Sequence, residues 1–150
     1  MAFSIKVAIG GRNSHSLKQR LVPSSICSQD KGFSPLNQID SKNIQDLGID
    51  WYFTTETNRG HEASPIVVDG VMFLTSAWSV VYALDATNGE MLWKYDTLVP
   101  KEWGYNDCCD VVNRVVAVSK GKVVFGTIDG RLIALDAKSG SVLWESLTID

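Results

Sequence analysis

The sequence has little proline, little cysteine and no long apolar run, and each scarcity excludes a class of protein. There are 4 prolines and 3 cysteines in 150 residues. A membrane-spanning helix needs about 18–20 consecutive apolar residues, and no run approaches that length. Three cysteines are too few for a framework of disulfide bonds. The hydrophobic fraction of 45% excludes disordered and collagen-like chains. We therefore expect a globular fold with no transmembrane segment.

Positive charge is scarce beyond the start of the chain. Residues 1–31 hold five basic residues against Asp30 alone, whereas residues 32–150 carry 9 basic and 16 acidic residues. The acidic body argues against nucleic acid as a partner, because phosphate binding needs clustered Lys and Arg. The basic start has an apolar stretch that Lys6 interrupts and no small-x-small cleavage site. We leave residues 1–31 unassigned, as a degenerate targeting segment or a disordered one.

From residue 32 onward the sequence predicts an all-β fold after one short helix. That helix covers Ser41–Leu47, with Asp40 or Ser41 as its N-cap and Gly48 as its left-handed end. Short runs of β-branched and aromatic residues follow, each ended by Gly, Asn or Asp. Asp69-Gly70 predicts a hairpin turn, and Lys120-Gly121 and Asp129-Gly130 repeat the signal. The predicted strands are Pro65–Val68, Val71–Thr75, Ser79–Leu84, Met91–Tyr95, Val115–Val118, Lys122–Thr127, Arg131–Leu135 and Val142–Thr148.

An internal repeat of 51 residues organises this region. Ala83–Trp93 recurs as Ala134–Trp144, with seven of eleven positions identical. A period of about 40–50 residues with several strands indicates propeller blades, here of four antiparallel strands. In each copy the Asp is predicted to hold an Asx-type turn and the Gly to supply positive φ. Trp93 and Trp144 are predicted to pack against a neighbouring blade. Since propellers have about 4–8 blades, we expect an incomplete section, preceded by a segment around Trp51.

The repeated Ala-x-Asp-x-x-(Asn/Ser)-Gly-x-x-x-Trp pattern closely resembles the tryptophan-docking motif of the pyrroloquinoline quinone (PQQ) repeat. Over residues 32–150 the chain resembles quinoprotein alcohol dehydrogenases. The family implies an eight-bladed propeller that oxidises alcohols to aldehydes in the periplasm, with PQQ beside Ca²⁺ and electrons passed to a cytochrome c or ubiquinone. We expect an N-terminal fragment of such an enzyme, inactive alone. The matching segments are Phe33–Ile39, Asn58–Gly70, Cys108–Arg114 and Gly126–Asp136.

The resemblance implies four cofactor-binding residues. Glu62 and Arg114 would bind polar edges of PQQ, and adjacent Cys108 and Cys109 would form a vicinal disulfide that packs on the quinone. Adjacent Cα atoms lie about 3.8 Å apart, whereas ordinary disulfides prefer about 4.4–6.8 Å. On the pair alone, two free thiols are the simpler interpretation; the Asp-Val-Val-Asn-Arg that follows favours the disulfide. Outside their motifs, Glu62 and Arg114 would be ordinary surface charges.

Other candidate residues carry weaker signals. Cys27 is isolated and is interpreted as an uninvolved thiol, and His61 as a spacer or local contact. Trp78 and Trp103 are candidates for a substrate entrance, with core packing as the alternative. The sequence contains no cluster with metal-ligand spacing and no Cys-x-x-Cys-His for haem attachment. By the resemblance, the Ca²⁺ ligands and the Asp that takes the alcohol proton lie beyond residue 150, so we expect no catalytic residue and no metal ligand within the chain.

The main alternative is a non-catalytic scaffold built from the same repeats, of the outer-membrane assembly lipoprotein type. Such a scaffold needs the docking tryptophans but has no use for the cysteine pair, Arg114 or Glu62. These four residues therefore separate the two hypotheses.

Overall fold

A computed structural model of the chain describes residues 2–3, 7–9, 39–106 and 110–149. Twelve short strands lie in these ranges: β1 (Ala2–Phe3), β2 (Val7–Ile9), β3 (Leu47–Ile49), β4 (Phe53–Thr54), β5 (Ile66–Val68), β6 (Val71–Thr75), β7 (Val81–Asp85), β8 (Met91–Tyr95), β9 (Ala117–Ser119), β10 (Lys122–Gly126), β11 (Arg131–Asp136) and β12 (Val142–Leu147). The helices are 3₁₀ helices over Ile44–Asp46, Ala77–Ser79 and Lys101–Asn106.

The strands form two four-stranded antiparallel sheets, as the repeat predicts. The first sheet has the order β5-β6-β7-β8, and the second has the equivalent order β9-β10-β11-β12. The pairing of the last two strands shifts register at the same repeat position in both sheets, between Ala83 and Leu84 and between Ala134 and Leu135. Two smaller pairs, β1 with β4 and β2 with β3, precede the first sheet. This arrangement confirms the predicted class of four-stranded propeller blades.

The hairpin turns predicted from the sequence lie between consecutive strands of the two sheets. Asp69 and Gly70 have φ of 50° and 82°, and Lys120 and Gly121 have 48° and 73°. Two consecutive residues with positive φ form the primed turn that matches the twist of a hairpin. At Asp129-Gly130 only the glycine has positive φ, at 79°. The predicted strand that begins at Ser79 starts instead at Val81, because Ala77–Ser79 is a 3₁₀ helix.

The predicted helix near the start is shorter than expected. Asp40 Oδ1 accepts hydrogen bonds from the backbone N–H of Lys42 at 2.7 Å and of Asn43 at 3.2 Å, but these residues form a turn that precedes the helix. The helix, however, is a 3₁₀ helix that ends at Asp46. Gly48 lies within β3, which pairs with β2, so it does not end a helix in the left-handed conformation. Pairing with a distant strand has overridden the local helix signal.

The core lies between the two sheets. Alternate residues of a strand point to opposite faces, and in the first sheet both faces are covered. Phe73, Val81 and Ala83 pack against residues of the second sheet, including Val123 and Ile133. The opposite face forms a second cluster: Trp51, Met72, Leu74, Val80, Tyr82, Leu84 and Ala86. Coverage on both faces explains why these strands are apolar almost without interruption.

The repeated tryptophans contact the glycine of the following repeat. The Trp93 ring lies so close to Gly140 that a Cβ added there would be 2.7 Å from ring carbons. Trp93 Nε1 also donates a hydrogen bond to the Ala137 carbonyl at 3.1 Å. Trp51 covers Gly89 in the same way. Only glycine fits at these positions, since φ is 76° at Gly89 and 70° at Gly140 and the ring occupies the space of a side chain.

Candidate functional site

Two loops that lead into equivalent edge strands carry the candidate site. Residues 55–65 connect β4 to β5, and residues 110–116 lead into β9. The Ser64 N–H donates to the Arg114 carbonyl at 3.0 Å, which joins the loops through the backbone. Because β5 and β9 occupy the same position in neighbouring sheets, residues about one repeat apart meet across the two loops.

Glu62 and Arg114, predicted from sequence as one site, form an ion pair. Arg114 Nε and Nη2 each lie 3.0 Å from Glu62 Oε2. Both side chains remain accessible, at 44% exposed for Glu62 and 67% for Arg114. This contact uses one carboxylate oxygen and one edge of the guanidinium. Glu62 Oε1 and Arg114 Nη1 take no part in these two contacts, so the pair retains an acceptor and a donor of its own.

A second ion pair joins the same loops and was not foreseen from the sequence. Arg59 Nη1 lies 2.8 Å from Asp110 Oδ1. Asp110 has φ of 75° and accepts a hydrogen bond from the Val111 N–H at 2.8 Å. That hydrogen bond, with the charge of Arg59, holds the pKa of Asp110 below its ordinary value. The pair spans 51 residues, one repeat period, so the offset itself was a signal that these positions would be neighbours.

Arg131 ties the second sheet to the loop that leaves the first. Its Nη2 donates to the Thr97 carbonyl at 2.8 Å and lies 2.7 Å from Asp129 Oδ2. Burial alone would raise the pKa of Asp129, but hydrogen bonds from Arg131 and Thr127 and the Arg131 charge outweigh it, so the pKa is lowered. Asp129 is therefore the anion in a largely buried, hydrogen-bonded ion pair.

Replacing Asp129 with asparagine is expected to destabilise the chain at neutral pH by about 2 kcal/mol, the scale of a hydrogen bond to a charged group. The folded-state pKa lies below the unfolded value near 3.9. The stabilisation is therefore complete above that value and is lost as the pH falls through the folded-state pKa. Denaturant unfolding of the original chain and Asp129→Asn from pH 7 to pH 2 should show the difference shrinking in acid.

Glu145→Gln is the matched control, because Glu145 is a more exposed partner of the same arginine at 3.4 Å. Its expected cost is below about 1 kcal/mol, as for surface ion pairs. If the difference in free energy of unfolding between the original chain and Asp129→Asn stays constant down to pH 2, the charge of Asp129 does not stabilise the fold.

The other candidate residues from the sequence are Trp78, Trp103 and His61, and each lies in a different environment. Trp78 lines an open depression of about 530 Å³ together with Arg59, Lys101, Tyr105 and Asp110. Trp103 is half-buried in the 3₁₀ helix over Lys101–Asn106 and does not line this depression. His61 makes a local contact, with Nε2 2.6 Å from Thr55 Oγ1, and burial lowers its pKa.

Cys27, Cys108 and Cys109 lie outside the described residues. Among the residues that are described, no group of three His, Cys, Asp or Glu side chains is placed to hold a metal ion. No helix in the same ranges is long and apolar enough to cross a membrane.

The fold and the two joined loops define the class: a section of β-propeller whose repeats dock by tryptophan on glycine and whose neighbouring blades bring an Arg–Glu pair together. Residues 27–145 match the family profile described as the glucose/ethanol/alcohol dehydrogenase β-propeller domain, labelled PQQ. The chain belongs to this family. The match begins five residues before the boundary predicted at residue 32.

Within the matched region, curated relatives are about 50% identical to this chain. The 1-butanol dehydrogenase (cytochrome c) of Thauera butanivorans is 56% identical over 117 residues, which is 78% of this chain and 17% of the relative. The quinohemoprotein alcohol dehydrogenase of Comamonas testosteroni is 48% identical over 118 residues, or 79% of this chain and 17% of the relative. The chain therefore spans about one sixth of the length of these relatives.

Solved structures give the same family. Quinohemoprotein alcohol dehydrogenase ADH-IIG of Pseudomonas putida superimposes with a TM-score of 0.76 at 51% identity, covering 78% of this chain and 17% of that one. A europium-containing methanol dehydrogenase superimposes with a TM-score of 0.73 at 42% identity, covering 78% of this chain and 21% of that one.

Proposed function

We propose that this chain supplies one wall of the PQQ site of a quinoprotein alcohol dehydrogenase, which oxidises alcohols to aldehydes. The observation that carries the proposal is the Glu62–Arg114 pair, with contacts of 3.0 Å, on two loops that are joined side by side. The second of these loops follows directly on Cys108 and Cys109 in the sequence. Glu62 and Arg114 thus lie on two adjacent segments of the fold, and the cysteine pair directly precedes one of them in the sequence.

The donor set suits a group such as PQQ, which presents carboxylates and quinone oxygens around a flat ring system. A guanidinium offers a planar fork of N–H donors that matches a carboxylate or a quinone oxygen. The exposed faces of Glu62 and Arg114 leave both side chains accessible to a ligand. Arg59, a second cation in the first of these loops, lines the same depression as Trp78. These features support the assignment of Glu62 and Arg114 as cofactor-binding residues.

In this proposal, PQQ supplies the redox chemistry as the acceptor of two electrons from the alcohol. Arg114 binds an edge of the cofactor and stabilises negative charge there, since a fixed cation needs no reorganisation during the reaction. Glu62 orients Arg114 and accepts a hydrogen bond from the cofactor. Cys108 and Cys109 would be joined as a vicinal disulfide and would pack against one face of the ring.

Several finer features of the enzyme come with the proposal. A Ca²⁺ ion beside the cofactor, held by residues of later blades, would act as a Lewis acid, and an Asp from those blades would take the alcohol proton. The periplasm is the proposed compartment, and a cytochrome c or ubiquinone is the proposed electron acceptor.

Trp144, which is 40% exposed, would dock on the next blade as Trp93 docks on Gly140. The relatives of about 50% identity are dehydrogenases, which favours the enzyme over the scaffold alternative.

A hybrid enzyme tests the proposal. In it, the 118 residues of the Comamonas testosteroni dehydrogenase that match this chain are replaced by their counterparts from this chain. We expect alcohol-dependent dye reduction that requires added PQQ, and no turnover from the 150-residue chain alone. A folded hybrid with no PQQ-dependent activity would contradict the proposed function, and turnover by the chain alone would contradict its role as one wall of the site.

The proposed vicinal disulfide is tested by counting free thiols in the folded, unreduced chain, which contains three cysteines. The proposal predicts one reactive thiol, from Cys27, and three after reduction. Cys27→Ser is the control and should leave no reactive thiol before reduction. Three free thiols in the folded, air-oxidised chain would rule out the vicinal disulfide and favour the scaffold alternative.

A further inference from the structure

The turn between β6 and β7 departs from the repeat beside the candidate site. At the 51-residue offset, Trp78 and Ser79 correspond to Asp129 and Gly130. Gly130 has φ of 79°, a value that glycine adopts at little cost, whereas Trp78 and Ser79 have φ of 62° and 57°. Backbone strain of this kind persists only where the surrounding structure holds it, and it clusters at functional sites. The Ser79 side chain distinguishes this turn from its glycine-containing counterpart.

The Ser79 hydroxyl contacts the segment that carries Arg114. Asn113 Nδ2 donates a hydrogen bond to Ser79 Oγ at 3.3 Å and to the Gly126 carbonyl at 2.7 Å. The Oδ1 of the same amide accepts from the Val115 N–H at 3.3 Å. The Asn113 side chain therefore closes a turn around Arg114, and Ser79 Oγ is one of the two acceptors that hold its Nδ2 in place.

Other bonds, from the turn and from the last residue of β6, hold the same segment. The Trp78 N–H donates to the Val111 carbonyl at 2.8 Å, and Thr75 Oγ1 donates to the Asn113 carbonyl at 3.0 Å. On its far side the turn is anchored by Thr97, whose Oγ1 donates to the Trp78 carbonyl at 2.7 Å. Thus Thr97 fixes the turn, and other polar groups of the turn bond to the segment that carries Arg114.

We propose that Ser79 is a positioning residue of the cofactor site. Its hydroxyl, carried by a left-handed backbone, orients Asn113 and so fixes the position of Arg114. Ser79 is 2% exposed, and its role is to act through Asn113 rather than to contact the cofactor. This inference rests on the proposed function, because it assigns Ser79 a role at the site that Glu62 and Arg114 form.

The test is Ser79→Gly in the hybrid enzyme, with PQQ affinity and thermal stability measured together. Glycine relieves the left-handed backbone but removes the hydroxyl. We expect the melting temperature to stay unchanged or to rise, while the Kd for PQQ increases about fivefold, as the loss of one hydrogen bond implies. A merely structural role predicts that affinity follows stability, so opposite directions identify a positioning role.

Lys120→Gly is the matched control. Lys120 has φ of 48° in an exposed hairpin turn of the second sheet, so glycine gives the same backbone relief there without touching the site. We expect its Kd for PQQ to match that of the unsubstituted hybrid. A Kd that rises equally in both variants would overturn the role of the hydroxyl.

A double-mutant cycle with Asn113→Ala completes the test. If Ser79 acts through Asn113, Ser79→Gly should add no loss of affinity in the Asn113→Ala background; an additive loss would overturn the link. An unsubstituted hybrid that binds no PQQ would refute the proposed function and this inference with it. A hybrid that binds PQQ equally well with serine or glycine would refute this inference alone.

Discussion

Replacing Trp93 with alanine is expected to lower the free energy of unfolding of the chain by about 4 kcal/mol, the scale measured for large aromatic residues in cores. Trp93 is 9% exposed and belongs to the cluster between the two sheets. Its ring lies 5.9 Å from that of Phe73, covers Gly140 and donates a hydrogen bond across the interface. Truncation removes these contacts together and leaves a cavity where the sheets meet. Denaturant unfolding at neutral pH measures the loss.

Trp144→Ala is the matched control, because Trp144 occupies the same position of the repeat. In the described part of the chain it is 40% exposed and lies outside both core clusters. Its expected cost in the chain is below about 1 kcal/mol, as for most surface substitutions. In the hybrid enzyme, where further blades follow, the cost should rise toward that of Trp93. Equal losses for the two variants in the chain itself would contradict docking of tryptophan on the following repeat.

Replacing Arg114 with alanine in the hybrid enzyme is expected to raise the Kd for PQQ about 100-fold. Two charge-assisted hydrogen bonds would be lost, and each contributes about 1.5–3 kcal/mol, so 100-fold is at the lower end of the range. Removal of the arginine also leaves Glu62 without the partner that lies 3.0 Å away. Equilibrium titration of the apoenzyme with PQQ measures the change.

Two further variants separate charge from geometry. Arg114→Lys keeps the cation but lacks the planar fork, so its affinity should fall between those of arginine and alanine. Lys122→Ala removes an exposed cation of β10 and should leave the Kd unchanged. If Arg114→Ala binds PQQ as tightly as the unsubstituted hybrid, Arg114 is a surface ion-pair partner and the cofactor assignment is wrong.

The features predicted from sequence are those that local chemistry determines. Strands such as Val71–Thr75 and Met91–Tyr95 were predicted residue for residue, because turn-forming residues bound these β-branched and aromatic runs: Gly70 before the first and Asp96 after the second. The Asx-type turns were predicted too: Asp85 Oδ1 accepts from the Thr87 N–H at 2.7 Å, and Asp136 Oδ1 accepts from the Ser139 N–H at 2.8 Å. In each case one residue type and its spacing specify the conformation.

The features missed are those that distant partners determine. Ser41–Leu47 has a good helix cap, yet Leu47–Ile49 becomes a strand because it pairs with Val7–Ile9. Trp78 and Ser79 adopt left-handed conformations against their own preference, since bonds to the segment after residue 110 and to Thr97 hold them. No local sequence pattern predicts such a turn. It is recognised by comparison with the equivalent turn of the second sheet, which contains Gly130.

The candidate site lies between these cases. Glu62 and Arg114 came from family resemblance, and the fold brings them together at 3.0 Å. The Arg59–Asp110 pair was missed although its members stand one repeat period apart. A search for complementary charges at the repeat offset finds this pair from sequence alone, because equivalent positions of neighbouring blades are adjacent in space.

The most direct test of the central claim is the structure of the hybrid enzyme with PQQ bound. The account predicts polar atoms of Glu62 and Arg114 within hydrogen-bond distance of the cofactor, about 2.7–3.2 Å. It also predicts Cys108 and Cys109 joined to each other and in van der Waals contact with one face of the ring. PQQ bound in the hybrid without contact to any of these four residues would contradict the claim that this chain forms a wall of the cofactor site.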